Sequence, residues 1–243
     1  MNIRLFEVGG SIRDVLMGID HSDRDFCAVS PNGWDELVLW CNQNMKKVFL
    51  TNPQFFTIRG IIGKDAVDIV MCRKDGEYSD GRRPDSVQSG TIHDDLARRD
   101  FTCNAMAREV CNKTLKPLID EIDKSLIDPF GGRKDLEDNI LRCVGNTDIR
   151  LKEDGLRVMR AFRFMITKNL LPDRSLEKAM MDEDWWSFMI DTVSEERVRE
   201  EMHKMFKFDT PRAMFILCTS LSPSSLRLLF DNIWLKPTLE KRR

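Results

Sequence analysis

The sequence predicts an α+β head built on a mixed β-sheet, followed by an all-helical remainder. Up to about Asp128, short apolar strand-like runs alternate with helical patterns and with turns that contain glycine. From Leu136 onwards, apolar residues recur at helical spacing alone. Residues 128–132, Asp-Pro-Phe-Gly-Gly, form a predicted turn between the two patterns. We therefore expect the boundary between head and helices to fall between residues 130 and 145.

Individual elements follow from the same patterns. Strands are predicted from apolar runs at residues 3–8, 25–29, 55–62 and 66–72. Helices are predicted at residues 12–17, 34–44, 148–168, 174–182, 194–206 and 211–219. Ser11 is a candidate N-cap for the first helix, and residues 63–65 favour a hairpin. The polar residues 75–85, with two glycines and a proline, predict a mobile loop.

Composition indicates a globular protein of one or two domains. The chain has 243 residues, of which 42% are hydrophobic and 32% charged. No run of about 18 apolar residues occurs, and the first residues lack the apolar stretch of a signal peptide, so we expect no membrane association. Seven cysteines without a CxxC pair argue against a disulfide framework or zinc site and favour a cytoplasmic location. The net charge of −2 means that a nucleic-acid partner would need a local basic surface.

The first motif lies at residues 9–14, Gly-Gly-Ser-Ile-Arg-Asp. A glycine pair between a strand and a helix lets the backbone approach a ligand closely. The helix start then offers free N–H groups to phosphate, and Arg13 adds a forked cationic donor. On its own, the glycine pair is a weak signal and is more typical of an ordinary turn.

Carboxylates on two predicted strands point to a metal site. Asp23 and Asp25 are two residues apart, so their side chains would share one face of a strand. Paired carboxylates with substrate phosphates are the environment that Mg²⁺ prefers. Asp68 interrupts an otherwise apolar strand and must be exposed, paired or metal-bound. The alternative for Asp23 and Asp25 is a solvated strand edge or a turn.

The second motif lies at residues 98–105, Arg-Arg-Asp-Phe-Thr-Cys-Asn-Ala. Its arginines could hold a triphosphate or ribose, and Asn104 could fix a sugar hydroxyl. The alternative is a charged helix start followed by core residues. The turn at residues 128–132 has a sufficient explanation as a rigid junction between the two parts of the chain.

A further motif lies at residues 153–164, where apolar residues share one helical face and basic residues the other. Asp154 and Arg157 are three residues apart, so we expect their side chains to be neighbours. A carboxylate accepts a hydrogen bond from an exocyclic amine, and a guanidinium donates to a ring nitrogen. Such a pair would accept cytosine and adenine and reject uracil and guanine. The alternative is an ion pair on a solvated face.

In their order, these segments resemble the class II tRNA nucleotidyltransferase and bacterial poly(A) polymerase family. The family pattern adds a final Ser-x-Glu-Arg, present here at residues 194–197, and a flexible loop, which residues 77–85 resemble. The resemblance covers roughly residues 5–235. Ile12 replaces the usual Val, the spacing from Thr102 to Asp128 is longer, and full-length members continue through a larger helical body and tail.

The resemblance implies a nucleotidyltransferase head at residues 1–140, a helical neck with a base-selecting helix at 141–210 and the start of a helical body at 211–243. Site residues matching the family's motifs fall into two groups. The catalytic group comprises Asp23, Asp25 and, as an assisting carboxylate, Asp68, with Asp23 and Asp25 as metal ligands. The nucleotide-binding group comprises Gly10, Arg13, Arg99, Asp154, Arg157, Arg160 and Arg163.

The implied reaction adds C and A from CTP and ATP to the 3′ end of tRNA, with two Mg²⁺ ions and release of pyrophosphate. The contacts with tRNA that a larger helical body would supply could come from a homo-oligomer or a partner. Alternatives with the same chemistry are an A-adding enzyme, a CC-adding enzyme and a poly(A) polymerase. A non-catalytic tRNA-binding module would have no need of Asp23 and Asp25, and a helical adaptor would not explain the head motifs.

Overall fold

A mixed seven-stranded sheet forms the centre of the head in the computed structural model, which describes residues 2–19, 24–76, 78, 84 and 86–230. In chain order the strands are β1 (Arg4–Val8), β2 (Asp25–Val29), β3 (Lys47–Asn52), β4 (Thr57–Ile62), β5 (Asp65–Met71), β6 (Arg73–Asp75), β7 (Val87–Ser89), β8 (Ala107–Val110), β9 (Leu126–Ile127), β10 (Ile140–Leu141) and β11 (Leu171–Pro172). The main sheet has the order β3-β4-β5-β2-β1-β8-β9. Within it, β2 and β5 run parallel and the other neighbours antiparallel.

Helices cover the sheet and then form the rest of the described chain. In chain order they are α1 (Gly10–Leu16), α2 (Trp34–Asn44), α3 (Ile92–Ala97), α4 (Ile122–Ser125), α5 (Gly132–Glu137), α6 (Thr147–Glu153), α7 (Leu156–Lys168), α8 (Arg174–Met181), α9 (Glu183–Thr192), α10 (Glu195–Ser220) and α11 (Pro223–Phe230). A 3₁₀ turn, Thr102–Asn104, lies between α3 and β8. The prediction of an α+β head followed by helices is confirmed.

The two faces of the main sheet bury different clusters because strand side chains alternate in direction. One face carries Leu5 and Phe26 and packs against Leu37 and Trp40 of α2. The other face carries Phe6, Val8 and Cys27 and packs against α3. This second face also bears Asp25, which lies directly opposite Val8 in the antiparallel register.

The helical part has its own core, built around α7. Phe162 and Trp186 are fully buried there, with ring centroids 5.6 Å apart. The predicted apolar face of this helix is confirmed, because Val158, Met159 and Ile166 are buried in the same cluster. Phe101 of the second motif packs edge-to-face on Phe164, so the head motif is continuous with the helical core.

Two predictions about elements were wrong, and a third was confirmed. The first helix begins at Gly10, and Ser11 is not its N-cap; the Ser11 hydroxyl instead donates to the Val8 carbonyl. The predicted helix at residues 148–168 is two helices, because Asp154 has an extended backbone (φ −152°, ψ 105°). The predicted helices at 194–206 and 211–219 are confirmed as the two segments of α10, which is interrupted at Asp209, whose side chain caps the second segment by accepting from the Arg212 N–H.

Sequence patterns also missed several elements, among them β3, β8, α3 and α9. The predicted loop at residues 75–85 is flanked by the β6–β7 pair. Most of that loop, residues 77, 79–83 and 85, lies outside the described residues, as do Asp23 and residues 231–243. Within the part of the chain that is described, we find no helix long and apolar enough to cross a bilayer.

Candidate active site

One end of the main sheet brings the first motif next to two carboxylates. Strand β1 ends at Val8, immediately before Gly9, and Val8 is paired with Asp25 at the start of β2. Asp25 is in turn level with Asp68 on the parallel neighbour β5. As register partners, Asp25 and Asp68 project from the same face of the sheet, on neighbouring strands about 4.8 Å apart.

The two carboxylates fit a divalent cation in donor type and in accessibility. Asp25 is exposed and Asp68 is half-buried, which leaves both open to solvent. Arg59 on β4 donates two hydrogen bonds to Asp68, each of 2.5 Å. This bidentate pair already occupies the Asp68 carboxylate, so a cation at Asp68 would compete with Arg59. Among the described residues, no three His, Cys, Asp or Glu side chains form a metal-binding group.

Gly9 allows the first and second motifs to touch. Its backbone has φ 75° and ψ −127°, a conformation that side-chain-bearing residues rarely adopt. A Cβ atom at Gly9 would lie 2.6 Å from the Arg99 guanidinium. That guanidinium donates to Asp95 Oδ2 at 3.0 Å and to the Asn104 carbonyl at 3.3 Å. Arg99 is therefore held directly against the glycine turn.

A continuous chain of hydrogen bonds joins the first motif to the helical part. Arg13 donates to Asn104 Oδ1 at 2.5 Å, and Asn104 Nδ2 donates to Asp100 Oδ1 at 3.0 Å. Arg160 of α7 then donates to Asp100 Oδ2 from Nε at 2.8 Å and from Nη2 at 2.5 Å. Burial raises the pKa of Asp100, but Arg160 and the Asn104 hydrogen bond outweigh it and hold the pKa well below its ordinary value. Three sequence motifs thus share one buried network.

The turn at residues 128–132 packs against the second motif, which agrees with its interpretation as a rigid junction between the two parts of the chain. The Asp128 carboxylate accepts from the backbone N–H groups of Gly132 and Arg133, at 2.8 and 2.9 Å. A Cβ atom at Gly132 would lie 2.1 Å from the Thr102 carbonyl oxygen, so only glycine fits. The Thr102 hydroxyl also donates to Asp135 of α5 at 2.7 Å.

Asp154 and Arg157 pair with different groups, contrary to the expected side-chain contact. Asp154 accepts from Arg197 at 2.8 and 3.2 Å. Arg157 donates to Glu153 at 2.7 Å and to the carbonyls of Arg150 and Arg98 at 2.6 and 3.0 Å. The cause is the helix break at Asp154: the i, i+3 neighbour rule requires one continuous helix.

The basic face of α7 is covered by α10 rather than solvated. Arg163 donates to Glu201 Oε2, and its guanidinium lies 4.4 Å from the centre of the Phe164 ring. Arg160 lies 3.8 Å from the same carboxylate. Glu201 is buried, so its charge is offset by these arginines together with Lys204. The alternative interpretation of a solvated charged face is therefore wrong.

Sequence reasoning missed two buried carboxylates that hold site arginines, Glu201 and Asp95. Asp95 accepts from both Arg98 and Arg99. Burial raises the pKa of Asp95, but these two arginines outweigh it and lower the pKa overall. The signal was present, because Asp95 of α3 lies three and four residues before the two arginines, which follow directly at the end of that helix. Glu201 lies one turn after Arg197, on the helix that Ser194-Glu195-Glu196-Arg197 begins.

Comparison with known proteins gives the same family along most of the chain. The family model for the poly A polymerase head domain matches residues 5–142. The CCA-adding enzyme of Lactobacillus johnsonii is 33% identical over 199 residues, which cover 82% of this chain and 45% of that protein. The CCA-adding enzyme of Geobacillus stearothermophilus is also 33% identical over 199 residues, covering 82% of this chain and 44% of the relative.

Solved structures agree in fold. The Bacillus stearothermophilus CCA-adding enzyme in complex with CTP has a TM-score of 0.72 at 25% identity, covering 93% of this chain and 52% of that one. A Thermotoga maritima CCA-adding enzyme complexed with tRNA has a TM-score of 0.67 at 24% identity, covering 97% of this chain and 50% of that one. The chain spans about half the length of these relatives. With its head matched and its motifs in order, the chain belongs to the family of the poly A polymerase head domain and the CCA-adding enzymes, as its motifs indicated.

Proposed function

We propose that the chain is a template-independent nucleotidyltransferase that adds C and A from CTP and ATP to the 3′ end of tRNA. The observation that carries this proposal is the buried chain Arg13–Asn104–Asp100–Arg160, which ties three motifs together. The first of these motifs directly follows Val8, which is paired with Asp25, and Asp25 is in turn paired with Asp68. Relatives named CCA-adding enzymes support tRNA as the acceptor.

The chemistry assigned to the sheet end is phosphoryl transfer. Asp23 and Asp25 are the proposed ligands for Mg²⁺, and Asp68 an assisting carboxylate. Bound Mg²⁺ would supply Lewis-acid activation of the tRNA 3′-hydroxyl and neutralise charge on the triphosphate. The protein's own contribution is positioning: the Gly10 backbone, Arg13 and Arg99 hold the triphosphate so that the α-phosphorus faces the hydroxyl.

Base choice is assigned to Asp154 and Arg157, with Arg160 and Arg163 as further contacts on α7. The Asp154 carboxylate accepts from Arg197 and retains lone pairs for an exocyclic amine. Arg157 is held by two carbonyls and Glu153, which fixes the plane of its guanidinium. Cytosine and adenine match this donor–acceptor order, whereas uracil and guanine leave buried groups unpaired.

The proposed domains along the chain follow from the same assignment of functions. Residues 1–140 carry the catalytic head, residues 141–210 the neck with the base-selecting helix, and residues 211–243 the start of a helical body. A homo-oligomer or partner is proposed to complete the tRNA grip. The seven cysteines, all free, favour a cytoplasmic location.

The test is a gel assay on tRNA that lacks its CCA end. The assay supplies Mg²⁺ with each nucleoside triphosphate singly and then CTP with ATP, and it includes an Asp23→Ala, Asp25→Ala double variant. We expect stepwise addition of two C and one A, absent in the double variant. Addition of A alone would instead identify an A-adding or poly(A) enzyme, and addition of C alone a CC-adding enzyme. No addition by the unmodified protein would contradict the proposal.

A further inference from the structure

A buried carboxylate with two arginines lies on the face of the sheet opposite Asp25 and Asp68. Glu7 of β1 has no exposed surface. Arg24 donates to it from Nε at 2.8 Å and from Nη2 at 2.9 Å, and Arg108 donates from Nε at 2.9 Å. Burial raises the pKa of Glu7, but the two arginines outweigh it and leave the pKa below its ordinary value. Glu7 is therefore ionised and fully paired.

Arg24 occupies a special place in the sequence, because it stands between Asp23 and Asp25. Its side chain reaches the far face, where it also donates to the Leu115 carbonyl at 2.7 Å and lies 5.0 Å from the centre of the Phe26 ring. Strand β2 begins only at Asp25. The backbone at Arg24 therefore precedes the strand ladder and is anchored through its side chain.

The anchored Arg24 side chain acts on the opposite face of the sheet, which bears Asp25, because side chains along a strand alternate in direction. Successive side chains point to opposite faces, so a fixed Arg24 side chain sets the direction of the backbone from which Asp25 projects. A metal ligand gains affinity when neighbouring groups hold it in the binding orientation. Arg24 and Glu7 lie on the face of the sheet opposite the one where substrate would bind. Any effect of theirs on cation binding must therefore pass through the backbone.

Arg108 offers an internal comparison. It pairs with the same Glu7 carboxylate, and its side chain is also mostly buried. However, Arg108 lies inside β8, where the ladder holds its backbone on both sides, opposite Glu7 and Leu126. Strand β8 is separated from β2 by β1. Loss of either arginine disturbs Glu7, but only Arg24 is the direct neighbour of Asp25 along the chain.

We propose that Glu7 is a positioning residue: through Arg24 it fixes the presentation of Asp25 to the divalent cation and the triphosphate. This inference rests on the proposed nucleotidyl transfer for its catalytic consequence. Its structural part, that cation binding depends on Arg24 and not on Arg108, can be measured without any reaction.

The experiment compares Arg24→Gln with Arg108→Gln in the full chain, since each leaves Glu7 with one arginine. Binding of Mn²⁺, used in place of Mg²⁺, is measured by electron paramagnetic resonance without nucleotide or RNA. We expect Arg24→Gln to weaken Mn²⁺ binding about 10-fold or more and to lower kcat for C addition similarly, with little change in KM for CTP. For Arg108→Gln we expect a similar loss of thermal stability but Mn²⁺ binding and kcat within about two-fold of the unmodified protein.

Arg24→Lys and Glu7→Gln keep the test decisive if Arg24→Gln does not fold. Lysine retains the charge but not the forked donor, so we expect Arg24→Lys to recover only part of the Mn²⁺ affinity. Equal effects of Arg24 and Arg108 replacements on Mn²⁺ binding would overturn the inference, as would no effect from either. Arg24-dependent Mn²⁺ binding in a protein that adds no nucleotide would support the positioning role and reject the proposed function.

Discussion

At the residue scale, the site depends on groups that are individually costly to bury and that are therefore paired. Asp95 and Asp100 are buried carboxylates, and each is ionised because arginines stand beside it. Gly9 contributes in a different way, since it lets the Arg99 guanidinium lie against the backbone of the first motif. Two expectations follow, one for backbone strain and one for charge.

Replacing Gly9 by alanine should impair nucleotide binding as well as stability. The backbone at Gly9 would be strained by about 1–3 kcal/mol, and the new Cβ would displace Arg99. Gly18→Ala is a matched control, because Gly18 also has positive φ (67°) but has open space around its Cβ position. We expect KM for CTP to rise only in Gly9→Ala, measured alongside thermal unfolding. An equal rise in both variants would contradict this interpretation.

The buried carboxylates should make the protein sensitive to acid. The pKa values of Asp95 and Asp100 are lowered in the folded state, so their contribution to stability is fully present above the unfolded value of about 3.9. That contribution is lost as the pH falls through the folded pKa values. Urea unfolding at pH 6 and at pH 3.5 should show a falling free energy of unfolding. Asp100→Asn should reduce the change in the free energy of unfolding between the two pH values. An unchanged difference would contradict the role assigned to Asp100.

At the element scale, residues at the ends of helices contribute to the candidate site as much as residues within the helices do. Asp154 lies between α6 and α7, and Gly155 beside it packs closely, with its Cβ position 3.1 Å from the Met189 Cα. At the other junction, Asp128 satisfies two backbone donors at the start of α5. Both residues act where a helix begins or ends, and there free backbone groups need partners.

Asp128→Ala should cost about 1–2 kcal/mol, because it removes the acceptor for two N–H groups at a helix start. The loss should also loosen the contact between α5 and Thr102, on which the second motif is seated. Asp138→Ala at the exposed end of the same helix, where Asp138 pairs only with Lys134 in the described contacts, should cost less than about 0.5 kcal/mol. Denaturant unfolding of both variants checks the difference. Similar losses would exclude a capping role.

Sequence patterns predicted elements best where one face is clearly buried. The strand at residues 25–29 and the helix at residues 34–44 were predicted at their observed limits. Strand β3 was missed because it lies at the sheet edge and none of its residues is fully buried. Helix α9 follows α8 with Asp182 as the single residue between them, so no loop signal separates the two helices.

At the scale of the whole molecule, the head and the helices are joined by charge as well as by apolar packing. Arg160 binds Asp100 of the head and approaches Glu201 of α10. Sequence could not predict these partners, because they are 60 and 41 residues away from Arg160 along the chain. The same holds for Asp25 and Asp68, which become neighbours only through parallel pairing of β2 and β5. Motif order indicated candidate site residues, but not the contacts that they make.

Arg160→Leu should destabilise the protein by about 3 kcal/mol, because Asp100 would remain buried without its main partner. Asp100→Asn combined with Arg160→Leu should be less destabilised than the sum of the single variants, since neither charge is then left alone. Denaturant unfolding of the three variants gives the coupling free energy. Strict additivity would show that the contact between head and helices does not depend on this pair.

The chain Arg13–Asn104–Asp100–Arg160 also constrains how the gene can vary. Each member donates to or accepts from the next, so a mutation in one codon leaves an unmatched group inside the protein. A lineage that passed through such an intermediate would carry a destabilised protein until a second mutation arose. We therefore expect these four positions to be inherited as a unit and, where they differ between species, to differ together.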